Sequence, residues 1–199
     1  LLHATLRHAG SHERVGWKLS AQYFRAGDWA YVDPDEQLNR IIAITRGVDS
    51  TTLLIGRRDS RVERLAGEAR IDVQLDPQTT AVGALGVNHA FSNIDITGFG
   101  AVQVRDWRYL YAQGRLTRGG LFAHVFLNTS DAGDTYLLRT GIPISDRSRL
   151  LVGQLQYEHH LADRSTLTYG VDAQRTDPRT GGTIYGRFEN DDLTDEMGA

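Results

Sequence analysis

Two adjacent histidines, His159 and His160, stand in the stretch "LLVGQLQYEHHL". Imidazoles ligate transition metals when their rings converge on one ion. The residues around this pair alternate apolar and polar, which is a strand pattern, and neighbours on a strand point to opposite faces. The rings therefore cannot share an ion, and the expected role is an interfacial or loop-proximal pair. The run "ENDDLTDE" brings Asp191, Asp192, Asp195 and Glu196 close together in sequence. Carboxylates of this kind bind hard cations such as Ca²⁺, but the spacing is not that of a recognised calcium loop. A solvated loop is the expectation, with no metal site. "DAGDTYLLRTG" supplies Asp131, Asp134 and Arg139, weak loop candidates for polar contacts with a ligand. The chain has no nucleophile elbow, no HExxH pattern and no phosphate loop, so neither a catalytic residue nor a cofactor is expected.

Composition narrows the classes further. In 199 residues the net charge is −3, which leaves no basic excess to neutralise phosphates, so nucleic acid is not an expected partner. At 40% apolar and 24% charged, the chain is not of the disordered type. Cysteine is absent, which removes disulfides and cysteine-ligated metals. No apolar run reaches the roughly 18 residues of a membrane-crossing helix. No signal peptide is visible, but the sequence starts inside an alternating run at Leu1, so that absence does not bear on location. With 21 glycines and only 4 prolines, the balance suits strands and tight turns.

The elements that position these residues are strands. In "LTYGVDAQRTDPRTGG", Leu167, Tyr169, Val171 and Ala173 alternate with Thr168, Gly170, Asp172 and Gln174 until Asp177-Pro178. The same period of two runs through "LLHATLRHA", "VGWKLSAQYF", "ERLAGEARIDVQLD", "AVGALGVNHAF", "AVQVRDWRYLYAQGRLTR", "LFAHVFLN" and "LLVGQLQYEHHL". About eight strands are expected over a single domain, 1–199. The stretches "GSHER", "PQTT", "RGG" and "ADRS" read as tight connections. Segments 28–60, 128–148 and 176–196 read as long irregular loops, and "SNIDITG" as a medium one.

Alternation alone fits two environments. A half-buried strand packs its apolar face on a core, whereas a strand of a membrane barrel turns it to lipid. The rhythm of connections separates them. Greek-key links in soluble sandwiches vary in length, while outer-membrane barrels keep tight turns at one end and long loops at the other. Several stretches also reach the 9–11 residues needed to cross a bilayer at a tilt. Trp17, Tyr23, Trp29, Tyr31, Trp107, Tyr109 and Tyr157 lie near strand ends, where interfacial girdles form. The fold class expected is all-β, an antiparallel up-and-down transmembrane β-barrel segment forming an open curved sheet.

The segments "LRHAGSHERVGWKLSAQYFRAGDWAYVDP", "AVQVRDWRYLYAQGRLTRGGLFAHVFLN", "AGDTYLLRTG" and "YGVDAQRTDPRTGGTIYGRFENDD" resemble the early barrel strands of TonB-dependent outer-membrane receptors. The resemblance implies a large barrel filled by an N-terminal plug in the outer membrane of a Gram-negative bacterium. Such receptors import scarce ligands (iron chelates, cobalamin or glycans) driven by the TonB complex, which they contact through the plug. Outer-membrane lipid and the TonB complex are thus the implied partners. The sequence contains neither plug nor TonB-contacting box, and ligand residues vary within the family, so no ligand site is carried over. The alternatives are a complete eight-stranded outer-membrane barrel with a structural or adhesive role, and a soluble all-β carbohydrate-binding module.

Three structural expectations follow. Trp17, Leu19, Ile71, Val73, Leu110, Leu116, Leu155 and Val171 should share one face, with Lys18, Gln74, Gln113, Arg115, Gln156 and Asp172 on the other. Long loops and tight turns should lie at opposite ends. The first strand should not pair with the strand at 164–175, because eight strands cover only roughly a third of a wall of about 22. "DEMGA" reads as the start of a further strand.

Overall fold

A computed structural model describes residues 1–98, 100–162, 165–184 and 191–199. Ten strands form one antiparallel sheet: β1 (Leu2–His12), β2 (Val15–Gly27), β3 (Arg61–Asp76), β4 (Thr79–Thr97), β5 (Gly100–Arg118), β6 (Leu121–Asp131), β7 (Tyr136–Leu137), β8 (Arg149–Ala162), β9 (Ser165–Asp177) and β10 (Thr194–Gly198). Their spatial order is β1-β2-β3-β4-β5-β6-β8-β9-β10, with the two-residue β7 set against β5. The chain is an all-β, up-and-down sheet that stays open. Among the described residues, β1 pairs only with β2 and β10 only with β9. The "DEMGA" strand is present as β10.

Local chemistry sets the turns. Glu13 at φ 49 turns β1 into β2, and Arg14 Nη1 donates to Leu75 O across the end of the sheet (3.3 Å). Asp76 Oδ1 accepts from Gln78 N (2.8 Å) in the Pro77-Gln78 turn. Gly119 takes φ 54 between β5 and β6, a conformation that glycine adopts without steric cost. At the fourth tight end, Ala162 faces Ser165; Asp163 and Arg164 of the expected "ADRS" turn lie outside the described residues. With every neighbour antiparallel, these four turns share one end and the long connections share the other.

The expected loops need correction. Segment 28–60 is not wholly irregular, because it holds an α-helix, α1 (Pro34–Thr45). Asp33 caps it, accepting from Asp35 N (2.9 Å) and Glu36 N (3.3 Å), and Pro34 opens it where no amide hydrogen is missed. "SNIDITG" is not a medium loop. β4 and β5 continue through it as a ladder to Thr97 opposite Gly100, so this hairpin projects beyond its neighbours at the loop end. The last long loop is shorter, 178–193, and segment 128–148 opens in strand, because β6 runs to Asp131, and holds the two-residue β7.

The register sorts the side chains as alternation predicts. One row across the sheet reads Trp17, Ile71, Gly83, Gly114, Val125, Gly153, Ala173, Met197. The next row on that face reads Val15, Val73, Ala81, Leu116, Ala123, Leu155, Val171. The opposite face carries Gly16, Asp72, Val82, Arg115, His124, Gln154 and Asp172. All fourteen residues assigned a face lie where expected. Among the described residues no second layer covers these rows of the apolar face: Leu19 is 46% exposed, Leu85 62%, Leu155 48% and Val171 55%. On the polar face Lys18 Nζ meets Glu68 (2.6 Å), which also accepts from Tyr111 Oη (2.6 Å). Tyr111 reaches Glu68 by lying across Gly86, where any added methyl would collide with its ring.

The buried core sits at the loop end, under the long connections. Val102, Val104, Ala132 and Ile144 form its centre, with Trp107, Leu137 and Ile184 against them. On the other side of the β4–β5 projection, Gln103 is fully buried. Its Oε1 accepts from Asp59 N (2.7 Å) and its Nε2 donates to Ser92 Oγ (3.3 Å). The loops thus form a packed cap.

Candidate functional site

Four segments distant in sequence line a half-open cavity of about 380 Å³ at the loop end of the polar face. Its floor is the projecting hairpin, with Ala90, Val102, Val104, Trp107 and Tyr109. Leu137 and Ile144 form one wall, Thr183 and Ile184 another, and Arg64, Asn88, Asn93 and Asp95 bring polar groups to it. Trp107 Nε1 donates to Ser130 Oγ (3.0 Å), which fixes the indole, and the Tyr109 ring stacks beside it (6.0 Å, 20°). An apolar floor with oriented aromatic rings and a rim of amides and charges suits a ligand with a flat or apolar face and polar edges.

The walls are held by hydrogen bonds between loops. Thr183 Oγ1 accepts from Ser145 N (2.9 Å), and Arg147 N donates to Arg179 O (3.0 Å). Asp191 anchors the 178–184 segment, accepting from Thr180 N (2.6 Å), Thr180 Oγ1 (2.8 Å) and Gly181 N (2.7 Å). The Thr180 backbone hydrogen bond, above all, holds the Asp191 carboxyl below the usual carboxylate range. A depressed folded-state value means that the anchor is fully present above the ordinary carboxylate range and is lost as pH falls through the folded value. Asp191→Ala should lower the hydrogen-exchange protection factors of Thr180 and Gly181 at neutral pH, and the difference in protection between the two proteins, compared at the same pH, should vanish in acid. Equal protection in both proteins at neutral pH would show that the carboxylate is not the anchor.

The residues singled out from sequence are dispersed. Asp131 Oδ1 accepts from Gly133 N (3.0 Å) at the end of β6. Asp134 is exposed, and its backbone N donates to Arg105 O (3.0 Å). Arg139 pairs with Asp35 (3.0 Å) and Asp33 (3.7 Å) at the start of α1. None of the three lines the cavity. His159 and His160 take opposite faces: His159 lies opposite Leu167, while His160 Nδ1 contacts Thr166 Oγ1 (3.0 Å). In the acidic run, Asp195 is engaged with Arg175 (2.7 Å). Among the described residues, no three His, Cys, Asp or Glu side chains cluster in a way that could hold a metal ion.

Trp107 and Tyr109, read from sequence as girdle candidates, belong to the polar face and the cavity. Their parity with Gln113 and Arg115 was a usable signal. The loop residues Leu137, Ile144, Thr183 and Ile184 carried no such signal. No helix among the described residues is long and apolar enough to cross a membrane. No family model, curated protein or solved structure matches this chain.

Proposed function

We propose that these residues form part of the wall of an outer-membrane β-barrel of the TonB-dependent receptor type. The apolar face meets lipid, the polar face lines the lumen, and the cap gathers a ligand at the cell surface. The observation that carries this reading is the uncovered apolar face. On β3 it runs from Leu65 to Leu75, bounded by Glu63 and Asp76. Ten residue steps at about 3.4 Å give about 34 Å along the strand, or about 26 Å of height at a tilt of about 40°. That height matches the apolar band of about 25 Å on outer-membrane barrels. Open edges at β1 and β10 favour a larger barrel over a closed eight-stranded one, because an unpaired strand edge is a template for further pairing. In this reading the TonB complex acts through a plug, and the cargo belongs to the iron-chelate, cobalamin or glycan class.

The test is topology in a Gram-negative host. A membrane-impermeant maleimide should modify Asp134→Cys on intact cells, and Gln78→Cys only after the outer membrane is opened. Modification of neither on intact cells but both in the soluble lysate would sink the reading in favour of a soluble binding module. Transport is tested by comparing uptake of chelates, cobalamin and oligosaccharides in cells lacking this protein and cells lacking TonB. Loss of the same compound in both strains supports it; uptake unaffected by removing the protein refutes it.

A further inference from the structure

Helix α1 is amphipathic in the inverted sense. Its polar side faces the protein: Glu36 is 1% exposed, and Arg58 grips it through Nε (2.8 Å) and Nη2 (2.7 Å). Asn39 Nδ2 donates to Arg139 O (3.1 Å), and Arg40 Nη1 donates to Ile55 O (2.9 Å) while Nη2 donates to Ser50 O (3.1 Å). Its apolar side faces away: Leu38 is 57% exposed, Ile41 60%, Ile42 38% and Ile44 41%, with Gln37 and Thr45 on the same side. Trp29, Tyr31 and Val32, just before the helix, are exposed as well. Four large aliphatic side chains at helical spacing, turned outward on a helix whose Glu36, Asn39 and Arg40 are engaged inward, form a contact surface.

The position of the helix identifies its partner. Segment 57–59 lies against the β4–β5 projection on the side of Gln103, where Asp59 N meets the Gln103 amide and Tyr136 Oη donates to Arg57 O (2.6 Å). That side is opposite the one carrying Val102, Val104 and Trp107, so it continues the apolar face of the sheet. Bound to this segment through Glu36 and Arg58, α1 stands on the apolar side. It is the next element after β2, whose last side chains on that face are Tyr23, hydrogen-bonded to Glu63 (2.7 Å), and Arg25, before Gly27. The helix therefore lies on the apolar side beyond the charged collar that closes the apolar band, tied through Gly56 N and Leu138 to Ala101 near the tip of the projection. Aromatics and an outward aliphatic stripe at that level are what a lipid–water interface takes up.

We propose that α1 lies in the plane of the outer lipid surface, with Leu38, Ile41, Ile42 and Ile44 inserted at the boundary between headgroups and acyl chains, as a flange that sets the depth of the wall. This rests on the reading of the sheet as a membrane wall. Insertion is driven by the apolar stripe and not by charge, since segment 28–60 carries six acidic and four basic residues.

The test uses the intact protein in vesicles of phosphatidylethanolamine and phosphatidylglycerol, with single spin labels at Leu38→Cys, Ile41→Cys, Leu155→Cys and Gln78→Cys. These 199 residues contain no cysteine. Collision with oxygen, which partitions into lipid, is compared with collision with a water-soluble nickel chelate. The helix labels should favour oxygen several-fold over the Gln78 control, at a shallower depth than Leu155. Helix labels that read as aqueous while Leu155 reads as lipid would overturn the flange and leave the wall intact. An aqueous Leu155 would overturn the wall reading itself, and the flange with it. Helix labels shielded from both reagents would overturn the lipid assignment in favour of a protein partner or a second copy of the chain.

Discussion

Replacing Arg58 by alanine should unlock the cap while leaving the rest of the sheet in place. The substitution removes the bidentate partner of the Glu36 carboxylate, which is 1% exposed in the intact cap, and removes a guanidinium that also lies 5.2 Å over the Tyr31 ring. Breaking a buried pair from one side costs about 3–5 kcal/mol, because the remaining charge has neither water nor a counter-ion. The loss should be local. Gly56 N donates to Leu138 O (2.8 Å) and Tyr136 Oη to Arg57 O (2.6 Å), so segments 50–60 and 136–141 should gain hydrogen exchange together. The β1–β2 ladder shares none of these bonds and should keep its protection. Removing both partners, as in Glu36→Leu with Arg58→Met, should recover most of the loss, since a packed apolar pair replaces a buried ionic one at little net cost. A single substitution that leaves exchange in both segments unchanged would show that the ion pair does not hold the cap.

That cap is the part of the fold the sequence disclosed least. The strands were legible because a period of two is a strong local signal, and a sheet with one uniform face lets every strand repeat it. Alternation placed Trp17, Ile71, Leu110 and Val171 on one side without any knowledge of register. α1 was overlooked although its signals are local: Asp33 and Pro34 at its start, then Leu38, Ile41 and Ile42 at helical spacing. They lie inside a segment with six acidic and four basic residues, and the apolar stripe serves no core that the neighbouring strands announce. "SNIDITG" misled for the opposite reason. Ser, Asn, Asp and Gly favour turns, but Ser92 and Asn93 are buried here and bonded to Asp59 and Gln103, so tertiary packing extends the ladder. The cavity was illegible because it joins Trp107, Ile144 and Ile184, which only the folded loops bring together.

Val125→Arg should separate the two environments that alternation alone allows. Val125 lies in the middle row of the apolar face, between Gly114 on β5 and Gly153 on β8, and is 50% exposed. In water, a cation at an exposed strand position away from any network changes stability within about 0.5 kcal/mol. At the midplane of a bilayer the same cation costs about 2–4 kcal/mol, because hydrocarbon offers it no hydration. Its neighbours offer no relief: Gly114, Gly153 and Ala173 in the same row provide no carboxylate to pair with. Gln113→Arg is the matched control, one residue along β5's ladder on the polar face, where His124 and Gln154 stand nearby. Refolding equilibria of the intact protein in lipid vesicles should show the folding constant of Val125→Arg lowered roughly 30- to several-hundred-fold more than that of Gln113→Arg, since about 1.4 kcal/mol is tenfold, with the penalty shrinking for Leu161→Arg near the turn end. Equal, small effects at all three positions would mean that the apolar face is bathed in water, and the wall reading would fall with that result.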